Sequence, residues 1–207
     1  MKKPIQFFVL LALGACFAFT MPSKSNTDSK YFNVVIDAGH GGKDVGCAHD
    51  DVAEKQITDV IAHKIMALNK DKEVVIHFTR EGDNFVDLNK RVEAINAMKP
   101  DLVLSLHVNY SKEVTHSGIE FFIPTEKAKA EKASAYAEKL ADKFEQKEYK
   151  VRSIKPAPMF VLKNSEAPAV MIQLGYLSND KDRNYLTDKS KQMEMATIIA
   201  NFLKEAK

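Results

Sequence analysis

Asn33-Val34-Val35-Ile36-Asp37-Ala38-Gly39-His40-Gly41-Gly42-Lys43-Asp44 is an apolar run that stops abruptly at a histidine set among glycines. The run predicts a buried strand, and its end is the position where open α/β folds place their sites. Glycines there let the backbone approach a ligand without side-chain obstruction, so His40 is a candidate metal ligand. The pair Gly42-Lys43 raises the alternative of a phosphate-binding loop. That loop requires a glycine five positions before the final Gly-Lys pair and Ser or Thr after it, whereas this chain has Asp37 and Asp44.

Outward from this strand the pattern alternates. Asp51 to Asn69 carries a helical stripe of Ile57, Val60, Ile61, Ile65 and Leu68, and Val74, Ile76 and Phe78 alternate on a strand. A helix follows from Asp87 to Met98, with Leu88, Val92 and Ile95 expected inward, and Pro100 ends it. Leu102 to Leu106 is a second continuous apolar strand and Ile119 to Ile123 another, with an alanine-rich helix expected from Glu126 to Glu145. Met159 to Leu162 and Ala169 to Leu174 read as two short strands, and Lys189 to Lys204 as a closing helix. This βαβ alternation predicts one α/β domain, with a mostly parallel or mixed sheet flanked by helices on both faces.

With 207 residues, 45% hydrophobic and 28% charged, the chain can bury a real core and is not of the disordered class. Met1-Lys2-Lys3 followed by the apolar stretch Ile5 to Phe19 predicts a secretory signal over residues 1–20. Within it, Leu13-Gly14-Ala15-Cys16 is similar to a lipoprotein signal, which would leave a lipidated Cys16 as a membrane tether. Phe17-Ala18-Phe19 is greasy for residues after such a cysteine, so ordinary cleavage near Thr20 or Met21 stays open. Residues 21–30 read as a polar tether and residues 31–207 as the folded domain. The expected location is outside the cytoplasm, in the periplasm or cell envelope. Removing Lys2 and Lys3 takes the net charge from +2 to about zero, which disfavours nucleic acid as a partner. Of two cysteines only Cys47 survives either cleavage, so no disulfide framework is expected. It is either a small packed residue or a thiolate ligand.

His40 after the first strand, Glu54 opening the first helix and His107 ending the Leu102 strand can converge at one sheet edge. Two histidines and a carboxylate leave a coordination position open, the arrangement of a catalytic rather than a structural zinc. The spacings form no local ligand signature, and a glutamate at a helix start equally suits the helix dipole.

Several blocks in one order carry a resemblance. Val34 to Gly46, then Glu54-Lys55, Thr79-Arg80 with Arg91, and Ser105-Leu106-His107-Val108-Asn109 are similar to the zinc-dependent N-acetylmuramoyl-L-alanine amidases often called amidase type 3. Ser117 to Glu120, Ala157 to Leu162 and Pro168 to Asn179 resemble the family's remaining blocks. The resemblance implies that His40, Glu54 and His107 bind Zn²⁺. It also implies peptidoglycan or its muropeptides as substrate, cleaved at the amide between the lactyl group of N-acetylmuramic acid and L-alanine. The enzyme is expected to act as a monomer through an open site, since no long insertion separates Ile123 from Met159.

One departure stands out. Where the family usually has a glutamate as general base, this chain has Gln173. The expectation is therefore a hydrolase with weakened activity, and the alternative a degenerate homologue that binds stem peptides as a scaffold or regulator. Glu120 and Glu166 are weak candidates for a displaced base. Arg80 and Arg91 are expected in structural ion pairs rather than on stem-peptide carboxylates, and Ser105 and Asn109 as hydrogen-bonding partners that orient His107. His49, His63, His77 and His116 are expected to play no ligand role, and the lysines of the helix from Lys127 to Lys143 to form a solvated face.

Overall fold

The computed structural model describes residues 31–207; the signal and tether readings, Cys16 included, fall outside the described residues. Six strands form the main sheet: β1 (Phe32–Ala38), β4 (Val74–Phe78), β5 (Leu102–Asn109), β6 (Ile119–Ile123), β7 (Val151–Pro156) and β8 (Ala169–Tyr176). A small hairpin of β2 (Ala48–His49) and β3 (Val52–Ala53) precedes α1 (Glu54–Leu68). The remaining helices are α2 (Leu88–Met98), α3 (Lys127–Glu145), α4 (Phe160–Asn164), α5 (Asp180–Thr187) and α6 (Lys189–Ala206).

The sheet order is β4-β1-β5-β8-β6-β7. The first four run parallel, whereas β6 is antiparallel to β8 and parallel to β7, giving the mixed sheet expected. Strands β1, β5 and β8 are covered on both faces, which is why they read as unbroken apolar runs. Their side chains divide with a period of two. Val34, Ile36, Leu104, Leu106, Val170 and Ile172 pack with α1, α3 and α6. Val35, Val103, Ala169 and Met171 pack with α2 and α4. Phe121, Phe144 and Phe202 are fully buried in the larger core. Truncating any one to alanine would cost about 3–5 kcal/mol.

Four features differ from the sequence expectation. Met159 to Leu162 is not a strand: Met159 is the N-cap of α4, and Val161 and Leu162 turn into the core. β7 lies at the sheet edge beside β6, where half-exposed polar residues and a terminal proline carry no apolar signal. α5 is mostly polar, with Leu186 buried and Tyr185 packed against the core, and is started by Asn179, whose side chain accepts from the Asp182 amide. Leu88 is not inward but half exposed at the start of α2, where Asp87 caps the Lys90 amide. Among the described residues no helix is long and apolar enough to cross a membrane.

Candidate metal centre

β1, β5 and the start of α1 deliver three side chains to one point at the carboxyl ends of the parallel strands. His40 follows β1 with a left-handed backbone, φ 63°. Glu54 is the first residue of α1, and the β2–β3 hairpin fixes its entry: its amide donates to the Cys47 carbonyl at 2.8 Å. His107 lies near the end of β5. One donor atom from each of the three lies within 4.8 Å of the others.

The carboxylate lies between the rings. Glu54 Oε2 is 3.1 Å from His40 Nε2, and Glu54 Oε1 is 2.8 Å from His107 Nδ1. The backbone amides of Cys47 and Val108 donate to Oε2 and Oε1 at 3.0 and 2.9 Å, so both oxygens have fixed directions. Burial by itself would raise the Glu54 pKa, yet hydrogen bonds and charge from His107 and His40 hold it well below the ordinary carboxylate range. Burial likewise opposes charge on His40, but Glu54 and then Asp44 outweigh it and raise its pKa. The Asp44 carboxylate is 2.9 Å from His40 Nδ1, leaving Nε2 to face the centre. This orienting carboxylate escaped the sequence reading, although a carboxyl four residues after a histidine in a glycine loop is its signal.

Glycine is required by space at two points. A Cβ on Gly39 would sit 2.5 Å from the His107 ring, and one on Gly46 would sit 2.5 Å from Glu54 Oε2. Below the centre, the buried Asp37 carboxylate accepts from Arg91 and Ser105 at 2.8 Å each and from Thr79 at 2.6 Å. Arg91 also donates to the carbonyls of Ala38 and His40, and Arg80 to those of Ala38 and Gly82 and to Asp59. Both arginines therefore sit in structural ion pairs that clamp the histidine loop.

Ser105 and Asn109 do not orient His107. The first donates to Asp37 and the second to Glu120. Cys47 is half-buried outside the three-residue group and donates its thiol to the Val108 carbonyl. Burial, with the Glu54 charge beside it, pushes that thiol up to about 12, so it packs as a neutral group. His49, His63, His77 and His116 also lie outside the group, and Glu166 is exposed at the far end of α4.

Gln173 on β8 is the register partner of His107 on one side and of Glu120 on the other. Its Oε1 is buried and makes no hydrogen bond among the described residues. Glu120 is held by the Tyr176 hydroxyl, Lys155 and Asn109. Beside the two histidines a cleft of about 520 Å³ is lined by Phe85, Val86, Leu88, Met159, Phe160 and Met171, together with Asp37, Asp44, Asp87 and Arg91.

An α/β sheet with two imidazoles and a carboxylate converging beside an open cleft defines a candidate metal-dependent hydrolase. The N-acetylmuramoyl-L-alanine amidase family model matches residues 34–205, and the chain belongs to that family. It is similar to the catalytic domain of CwlV, an N-acetylmuramoyl-L-alanine amidase of Paenibacillus polymyxa. That match has 30% identity and a TM-score of 0.77, and covers 84% of this chain and 97% of that one. An N-acetylmuramoyl-L-alanine amidase from Clostridium difficile 630 gives 25% identity and a TM-score of 0.80, over 86% of this chain and 97% of that one. The endolysin of Bacillus phage SPP1 is 33% identical over 75% of this chain and 58% of its own length.

Proposed function

We propose that the protein is a zinc-dependent peptidoglycan amidase that hydrolyses the amide between the lactyl group of N-acetylmuramic acid and the L-alanine of the stem peptide, with activity lowered by Gln173. The observation that carries this reading is the convergence of His40 Nε2, Glu54 and His107 Nδ1 beside a cleft, in a chain of the amidase family. Nitrogen and carboxylate donors suit zinc, and three of them leave a position for substrate chemistry. Zinc held there would polarise the scissile carbonyl and make water acidic near neutral pH.

The protein's own groups do the rest. Asp44 fixes the His40 ring and the Cys47 and Val108 amides fix the Glu54 carboxylate, so the donors are set before any ligand arrives. The Gln173 amide can accept a hydrogen bond from the attacking water and hold it in line, but it cannot take the proton or return it to the leaving amine. Loss of such a base removes about 10²–10⁴ in rate, or about 3–5 kcal/mol of barrier. Glu120 does not replace it, because Tyr176, Lys155 and Asn109 occupy its carboxylate.

The test is release of stem peptides from purified muropeptides by the zinc-loaded protein. Slow release above the metal-free control supports the hydrolase. Gln173 also favours a second reading, a homologue that binds stem peptides as scaffold or regulator, and bound muropeptide with no release establishes that one instead. Either activity would operate in the cell envelope, reached through the signal over residues 1–20; mass analysis of the mature N-terminus tests whether Cys16 carries lipid.

A further inference from the structure

At the level of the candidate metal centre one row of side chains crosses four strands. His107 on β5 pairs in register with Gln173 on β8, Gln173 with Glu120 on β6, and Glu120 with Ser153 on β7. With neighbouring strands about 4.8 Å apart, Glu120 lies about 10 Å from His107. Glu120 is 4% exposed and faces two cations, Lys155 at 3.0 Å and Arg152 at 3.7 Å. Lys155 takes the closer ion pair. The Arg152 guanidinium lies over the Tyr176 ring, 5.5 Å from its centroid, and makes no hydrogen bond to protein among the described residues. Its side chain is 28% exposed and that of Lys155 48%.

The cleft beside the histidine pair has the contrary character. Its wall is largely apolar, its carboxylates are Asp37, Asp44 and Asp87, and its one cation, Arg91, is buried against Asp37. A substrate at the centre therefore meets an apolar surface in the cleft and an underused guanidinium toward β7.

We propose that Arg152, backed by Lys155, binds a carboxylate of the stem peptide and so fixes the direction of the substrate. The peptide runs from the centre across β8 and β6 toward β7, and the muramoyl side lies in the apolar cleft. The inference rests on the amidase reading for the identity of the peptide. A planar guanidinium stacked on an aromatic ring is preorganised for bidentate contact with a carboxylate. The span from His107 to Glu120, about 10 Å, matches about three extended residues, and the Arg152 side chain reaches to 3.7 Å from Glu120 Oε1 at its far end, which places the recognised carboxylate near the third residue of the stem.

The test uses two muramoyl-tripeptides with neutral side chains, identical except for a free or an amidated C-terminal carboxylate. Their affinities for the zinc-loaded wild-type protein are measured by calorimetry, and their KM values with the Gln173→Glu variant. The free carboxylate should bind at least about tenfold more tightly. Arg152→Ala should collapse that preference to near unity, and Arg152→Lys should retain part of it. Equal affinities for the two peptides, or a preference that survives Arg152→Ala in a folded variant, overturn the inference. Unequal affinities without hydrolysis of either peptide leave it standing and refute only the amidase reading.

Discussion

Gln173 and Glu120 stand directly opposite one another on antiparallel strands, so the Gln173 amide is flanked by a buried carboxylate. Burial would raise the Glu120 pKa, but hydrogen bonds from Tyr176 and Lys155 and the charges of Lys155 and Arg152 lower it, and it stays ionised at neutral pH. A second carboxylate at position 173 would meet this charge.

Gln173→Glu should raise the rate of stem-peptide release at least tenfold, since a placed base contributes about 10²–10⁴. The new carboxylate has a like charge opposite it, so its pKa should be higher than it is when Glu120 is neutralised. Because the base works only when ionised, the acidic limb of the pH–rate profile should move down in Gln173→Glu/Glu120→Gln. An unchanged rate in the single variant would show that position 173 does not limit turnover.

Asp37→Asn should destabilise the fold by about 3–5 kcal/mol, because it leaves Arg91 buried without its counter-charge. Burial opposes ionisation of Asp37, but Arg91, with Thr79, more than offsets it and lowers the pKa. A carboxyl with a depressed folded-state pKa stabilises at pH above its unfolded value, about 3.9, and loses that contribution as pH falls through the folded value. Urea unfolding from pH 7 downward should therefore show a decline below about pH 4 in the wild type that is smaller in Asp37→Asn. Equal profiles would mean that the pair carries no such linkage.

The extent to which these features could be read from sequence follows burial. β1, β5 and β8 are apolar on both faces and announce themselves, and His40 just past β1 and His107 near the end of β5 were legible for that reason. The edge strand Val151-Arg152-Ser153-Ile154-Lys155-Pro156 has half its surface in solvent, and with it the cations beside Glu120 went unseen. Met159 to Leu162 is too short for periodicity to separate strand from helix. Ser105 lies near His107 in sequence, yet its register partner is Asp37, and that pairing decides its hydrogen bond.

Gly39→Ala places a Cβ 2.5 Å from the His107 ring. The histidine must rotate away, so zinc affinity should fall at least tenfold, on the scale of 10–100-fold for changes to groups that orient ligands. Competition with a chromophoric chelator measures this, with circular dichroism to confirm the fold. Unaltered affinity would show that His107 can move without leaving the centre.

Cys47→Ala should keep stoichiometric metal, because the thiol is neutral and engaged with the Val108 carbonyl. His40→Ala and His107→Ala should each lose it. Elemental analysis of the dialysed proteins separates these outcomes; metal lost from the cysteine variant alone would make Cys47 a ligand.

The central claim is that one zinc ion is held by His40, Glu54 and His107, and anomalous diffraction at the zinc absorption edge from crystals of the zinc-loaded protein tests it most directly. A single strong peak is expected about 2.0–2.2 Å from His40 Nε2, a Glu54 oxygen and His107 Nδ1. A peak elsewhere, or none at these three residues in a fully loaded crystal, would contradict it.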